Sequence, residues 1–247
     1  MTAMIADSAA NDLSALPFLR TKTKKRPRSI KSFVPSVVSV YKSARSMQLK
    51  KHKISMEKNN MKTINYVLTG LGGQGILFMT KVLATTALNK GYNILGAETH
   101  GMAQRGGSVV SHLRIGEARS SLIRAGAADF LLSMDESEAY RYLPYLKKGG
   151  KLFANAPSKR FPDKRVAAYI EKNNIESRAM EAAKKAMELG SPRSTNLAMV
   201  AFYAAFGYGP LTSDDLRATV DDMSPGSFKK TNLNIFDACY ETGRQMI

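Results

Sequence analysis

The stretch Ile64–Gly91, INYVLTGLGGQGILFMTKVLATTALNKG, decides the fold. Its first six residues are mostly apolar or β-branched and run into glycine, the pattern of a short buried strand. Gly70, Gly72 and Gly75 then stand in G-x-G-x-x-G spacing. Across Ile76–Asn89 the apolar positions 76, 79, 83, 84, 87 and 88 recur every three or four residues, which predicts an amphipathic helix ended by Gly91. Tyr92–Ala97 reads as a second strand. A strand, glycine turn, helix and strand in that order predict a βαβ unit with parallel strands and a right-handed crossover.

Downstream, Glu98–Gly107 (ETHGMAQRGG) lacks periodicity and predicts a loop at the carboxyl end of a strand. Ser108–Ile115 alternates as a strand, with a turn at Gly116-Glu117, a short paired strand over Arg119–Ile123 and a buried strand over Asp129–Ser133. Asp135 or Ser137 is suited to cap a short helix reaching Leu146, and Lys151–Ala154 is a further strand. Helices are expected over 164–173 and 175–189, from Ser213 onward, and over 228–243. Thr195–Phe206 (TNLAMVAFYAAF) is apolar on nearly every face, so this helix must be buried or lie against a partner. The expected fold is a Rossmann-like three-layer α/β domain, with a mostly parallel sheet and a helix-rich C-terminal half.

Charge separates the chain into two parts. Of its 247 residues, the first 60 hold 13 of the 37 Lys and Arg but 3 of the 20 Asp and Glu, so +10 of the net +17 lies there. Residues 1–60 are expected to be a basic, disordered extension outside the working domain of 61–247. Met56 and Met61, just before the first strand, are alternative starts. A nucleic-acid or anionic-lipid arm and a targeting segment are the competing readings, although Met1–Leu19 carries no basic residue. No apolar run is long enough to span a membrane, and the domain is expected to be cytoplasmic without nucleic-acid or membrane partners. Cys239 is the sole cysteine, which excludes an internal disulfide and any iron–sulfur or zinc site that takes four cysteines from this chain.

The chemistry-bearing residues are few. A glycine-rich helix start exposes backbone N–H groups, and the helix dipole adds about half a positive charge there, so Gly70, Gly72, Gly73, Gln74 and Gly75 form a candidate anion site. The same glycines would also serve a tight turn and close helix–sheet packing alone. Glu98 is the acidic residue nearest the end of the second strand, but it lies 28 residues beyond Gly70, a longer interval than a ribose-binding carboxylate normally shows. Arg105 could pair bidentately with a carboxylate or phosphate. His100 could carry a proton or act as a hydrogen-bonding strut, and the loop around both could equally pack on a partner subunit. His112 and Cys239 read as structural, and Asp214/Asp215 and Asp221/Asp222 as helix-surface charges. There is no nucleophile elbow, no P-loop, no complete catalytic set and no metal-ligand cluster.

Two segments carry a resemblance: GLGGQGILFMTKVLATTALNKG, and ETHGMAQRGGSVVSHLRIG after it. Together they resemble the gamma-type domain of the 2-oxoacid:ferredoxin oxidoreductases, over about residues 62–245, and Asn196 and Asn232 look similar to positions that recur in that domain. The resemblance implies a subunit of an enzyme that oxidatively decarboxylates a 2-oxoacid, here an arylpyruvate such as indolepyruvate, passes electrons to ferredoxin and transfers the acyl group to coenzyme A. It further implies that thiamine diphosphate and [4Fe-4S] clusters are carried by a large alpha subunit, so that this chain ligates no cofactor. Gly70, Gly72, Gly73, Gln74 and Gly75 match the family's entry turn. Glu98, His100, Gln104, Arg105 and Gly106 match its signature loop. The glycine turn and Arg105 are the expected contacts to the partner's cofactor region or to the anionic end of coenzyme A, and the isolated chain is open to homodimerisation. A stand-alone nucleotide-binding oxidoreductase and a non-enzymatic interaction module are the rival readings.

Overall fold

The computed structural model describes residues 62–100 and 106–247. The basic extension expected over 1–60 lies outside these residues, as do Gln104, Arg105 and the side chain of His100. The elements are β1 (Ile64–Leu71), α1 (Ile76–Asn89), β2 (Ile94–His100), β3 (Ser108–Ile115), β4 (Ala128–Ser133) and α2 (Glu136–Tyr142). After a 3-10 turn at Leu143–Tyr145 come β5 (Leu146–Asn155), α3 (Lys164–Lys172), β6 (Glu176–Met180), α4 (Ala182–Glu188), α5 (Thr195–Ala204), α6 (Ser213–Met223) and α7 (Gly226–Arg244).

The six strands form one sheet in the order β2-β3-β1-β4-β5-β6. β1 runs parallel to β4, β4 to β5 and β5 to β6, whereas β3 is antiparallel to both β1 and β2. All strands but β3 therefore point the same way. The expected βαβ unit is corrected in one respect: β1 and β2 are parallel, but β3 lies between them. The reason is the connection after β2. It returns the chain as an antiparallel strand that pairs with both, Val110 lying opposite Thr69 on one side and Thr99 on the other.

Alternation along the strands splits the core into two layers. Tyr66, Leu68, Phe130, Leu132 and Phe153 face α1, α5, α6 and α7. Val67, Val110, Leu131, Leu152 and Ala154 face α2, α3 and the 3-10 turn. The first layer is the thicker. α5 lies inside it, with every residue from Leu197 to Ala204 buried. α7 closes over α5 so tightly that a Cβ on Gly243 would come within 2.5 Å of Ala205 Cβ. The all-apolar helix is thus covered by its own chain, and it is not the partner-facing surface that its composition allowed.

Two other expectations are corrected. Arg119–Ile123 forms no strand. Its backbone is held in a loop by Arg114, whose Nη1 donates to the Ser120 carbonyl at 2.9 Å. The expected helix over 175–189 is divided into β6 and α4. The first half becomes a strand because it pairs in register with β5, Lys151 opposite Glu176 and Asn155 opposite Met180. Nonlocal pairing overrides the helix propensity of an Ala- and Met-rich segment.

Candidate functional site

The glycine turn lies at the carboxyl edge of β1, beside β4, where the chain connections leave the sheet in opposite directions. Ligands of open α/β sheets bind in such crevices. Gly70, Gly73, Gln74 and Gly75 each have a physical reason. A side chain on Gly70 would meet Gln74 Oε1 at 2.6 Å, Ile76 Cδ1 at 2.7 Å and Met134 Cβ at 2.9 Å. Gly73 and Gly75 have φ of 97° and 79°, in the left-handed region where L-residues are strained. Gln74 folds back onto the turn, its Oε1 accepting from Leu71 N at 2.7 Å. Its side chain therefore shapes the loop from within.

Gly75 is the N-cap of α1, and no side chain caps the helix. Its carbonyl accepts from Phe78 N and Met79 N, and more weakly from Asn196 Nδ2 at 3.4 Å. Among the described residues the N–H groups of Gly73, Gly75, Ile76 and Leu77 have no protein acceptor. Gly73 and Gly75 border a cleft of about 490 Å³ whose wall includes Met134, Asn155, Arg193, Thr195 and Asn196. α5 begins on the same cleft, also without a side-chain cap, and neither helix has an acidic residue in its first turn. Among the described residues the lining carries an arginine and no carboxylate, so the site suits an anion.

Two asparagines build the walls. Asn155, at the end of β5, donates to the Met134 carbonyl at 3.1 Å and accepts from Ala183 N at 3.2 Å, which ties β4 to the start of α4. Asn196 accepts from Leu197 N at 2.7 Å while reaching the turn. A second hollow of about 180 Å³ shares Arg193 and Asn196 and is lined on its far side by Phe78 and Asn232. Asn196 and Asn232, singled out by resemblance, thus stand on one wall system. Asn155 and Arg193 were missed, and only the glycine turn's position after β1 points toward the neighbouring strand ends where they lie.

The signature loop joins the turn through the backbone. Gly72 N donates to the Gly107 carbonyl at 2.8 Å, and Gly106 N to the Gly72 carbonyl at 3.4 Å. Residues of the two motifs therefore form a single unit at its described root. Glu98 is not brought to the turn. It is exposed on β2 opposite Ser111, and with β3 interposed its strand stands two strand spacings, roughly 10 Å, from β1. The arrangement in which an acid on the neighbouring strand receives a ribose hydroxyl is not built here.

The other candidates are structural. His112 is buried, its Nδ1 accepts from Ile123 N at 3.4 Å, and burial lowers its pKa. Burial pushes the Cys239 thiol up to about 11, leaving it an unreactive core group. Asp215 belongs to the capping box of α6 with Thr212 and also pairs with Lys90. Among the described residues there is no group of three or more His, Cys, Asp or Glu that could hold a metal ion. None of their helices is long and apolar enough to cross a membrane.

A mixed, mostly parallel sheet with a glycine-rich, anion-suited turn at its switch point defines a Rossmann-like α/β domain. The chain belongs to the pyruvate ferredoxin/flavodoxin oxidoreductase family, whose model matches residues 65–242. It is 32% identical to the indolepyruvate oxidoreductase subunit IorB of Pyrococcus horikoshii over 202 residues, 76% of this chain and 99% of that one. The IorB of Thermococcus kodakarensis is 33% identical over the same shares. Among solved structures, the gamma subunit of a keto/oxoacid ferredoxin oxidoreductase from Geobacter sulfurreducens superposes with a TM-score of 0.58, at 20% identity, over 74% of this chain and 99% of that one. These likenesses support a role in 2-oxoacid:ferredoxin oxidoreductase complexes in general, and the last of them bears on the fold alone.

Proposed function

We propose that the chain is the non-cofactor-ligating subunit of a cytoplasmic arylpyruvate:ferredoxin oxidoreductase, using indolepyruvate or a similar 2-oxoacid. In this reading the glycine turn holds the anionic end of coenzyme A. The observation that carries it is the cleft itself: among the described residues, N–H groups without an acceptor at Gly73 and Gly75, the uncapped start of α5 and Arg193, with no carboxylate in the lining. Gly70, Gly72, Gly73, Gln74 and Gly75 shape that cradle, and Arg105 adds a bidentate donor from the loop whose root is bonded to it. A large alpha subunit carries thiamine diphosphate and [4Fe-4S] clusters, which supply decarboxylation and electron transfer to ferredoxin. This chain contributes binding, orientation and a desolvating wall, and supplies no reacting group of its own. A single buried cysteine fits a chain with no redox chemistry of its own and a reducing compartment.

The test is reconstitution with the large subunit. Indolepyruvate- and coenzyme A-dependent reduction of ferredoxin should require both chains, and this chain alone should turn nothing over. Gly75→Ala and Arg105→Ala should each raise the KM for coenzyme A about tenfold with kcat changed less than twofold. Turnover of an arylpyruvate by this chain alone, or a KM for coenzyme A unmoved by both variants, would overturn the reading.

A further inference from the structure

Glu138 is an unexpected residue to find buried. Only 2% of it is exposed, on the face of the sheet away from α1. It occupies the third position of α2, after the N-cap Asp135, where a glutamate commonly reaches back to the N-cap N–H. Here that N–H donates instead to Ser133 Oγ at 3.3 Å, and Glu138 turns across the chain. Its Oε2 accepts a short hydrogen bond from Ser108 Oγ, and its Oε1 pairs with Arg141 Nε at 3.0 Å. Tyr142 closes the group, its hydroxyl 3.3 Å from Ser108 Oγ. α6 offers the contrast, since its capping box is formed locally by Thr212 and Asp215.

Burying a carboxylate is costly unless its oxygens are occupied, so this one is retained against an energetic gradient that an apolar residue would not face. Its chief partner explains the placement. Ser108 opens β3 and directly follows Gly107, whose carbonyl receives Gly72 N at 2.8 Å. Gly72 is part of the glycine turn. The geometry points to Glu138 as a positioning residue: through Ser108 it fixes the root of the signature loop, and through the Gly107–Gly72 bond it fixes the anion-holding turn at the carboxyl edge of β1. Glu138 itself does not line the cleft. This inference rests on the proposed role of the turn only for its functional consequence. The mechanical linkage stands apart from the ligand.

Amide hydrogen exchange on the full chain, read at Gly72 and at β5 residues as an internal control, tests the linkage, with coenzyme A affinity measured on the same samples in complex with the large subunit. Ser108→Ala and Glu138→Ala should each speed exchange at Gly72 about tenfold, leave β5 within twofold, and weaken coenzyme A binding by a similar factor. Ser108→Thr, which keeps the hydroxyl, should restore both readouts. Glu138→Gln keeps an acceptor without the charge and should stay within about threefold of the parent; if Glu138→Ala fails to fold, Ser108→Ala carries the test. The double variant should be no worse than the more severe single one. Unchanged protection at Gly72 in Ser108→Ala or in a folded Glu138→Ala, or additive effects in the double variant, would overturn the linkage. Loss of protection without any coenzyme A binding by the parent would instead overturn the proposed function and leave the linkage standing.

Discussion

The two faces of the sheet are built by different means. The face under α1, α5, α6 and α7 is thick and aromatic: Phe153 alone meets the rings of Phe202, Tyr203, Phe206 and Tyr208 at centroid distances of 5.3–6.3 Å. The face under α2 and α3 is thin, and polar groups are buried in it, among them Glu138 and His112. The thick face holds the fold through dispersion and area. The thin face contributes less area and more placement, because a buried polar group is satisfied in only one geometry. Substitutions on the thick face should therefore cost stability broadly, and those on the thin face should act locally.

The largest expected effect is that of Phe153→Ala. Phe153 is 1% exposed, and its loss should cost about 3–5 kcal/mol, read as a fall in the urea midpoint with unchanged slope. Ile170→Val on the thin face, at 8% exposure, should cost about 0.5–1.5 kcal/mol in the same measurement. Equal costs at the two positions would remove the distinction.

Tyr203→Phe sharpens the comparison within the thick face. The Tyr203 hydroxyl is 2.9 Å from that of Tyr66 and donates to the Tyr208 carbonyl at 2.7 Å. Burial raises both phenol pKa values, so the pair stays neutral across the physiological range. Deleting one hydroxyl leaves the buried Tyr66 hydroxyl and the part-buried Tyr208 carbonyl short of a partner, and a loss of about 1–3 kcal/mol is expected from the denaturation midpoint. A loss near zero would mean that the aromatic layer needs no polar register.

Gly75→Ala acts where the glycine turn starts α1. Strain at φ 79° and displacement of Asn196, whose Nδ2 would lie 2.3 Å from the new Cβ, should together cost about 1–2 kcal/mol. Combining it with Asn196→Ala should cost less than the sum of the single changes, because the double variant no longer contains the clash. A strictly additive pair would remove Asn196 from the account of why glycine is required.

What was legible in the chain follows the range of the forces involved. The β1–turn–α1 unit is set by neighbouring residues, so its pattern placed the helix at 76–89, where it is found. Glycine spacing likewise located the turn. β6 was not legible, because Glu176–Met180 becomes a strand through pairing with β5, and nothing local distinguishes it from the helix that follows. The insertion of β3 between β1 and β2 depends on strand partners far apart in sequence. The apolarity of α5 showed that it must be covered, whereas the choice of its own α7 as the cover is a tertiary fact. At the site, Asp135-Glu136-Ser137-Glu138 has the look of an ordinary capping sequence, which hides the one glutamate that points elsewhere. Asn155 and Arg193 come from segments distant from the turn and carry no motif.

The smallest expected effect lies at β6, where charge guards the edge strand of the sheet. Lys151 pairs with Glu176, which also accepts from Tyr208 Oη at 2.7 Å, while Arg178 Nη2 lies 2.9 Å from it. Burial raises the Glu176 pKa, but the bonds from Lys151 and Tyr208 outweigh it and hold the carboxyl below its ordinary 4.5. The folded state therefore takes up this proton less readily than the unfolded chain does. The resulting stabilisation is complete above the unfolded value and disappears as pH falls through the lowered folded value. The side chains of Lys151 and Glu176 are 29% and 24% exposed, so solvent screening limits the pair to less than about 1 kcal/mol. The difference in unfolding free energy between the parent and Glu176→Gln should be present at pH 7 and shrink as pH falls below the ordinary 4.5, with less of it at 0.5 M salt. A difference that grew on acidification would show that the carboxyl is destabilised in the fold, and the β6 edge would then be a strained edge and not a guarded one.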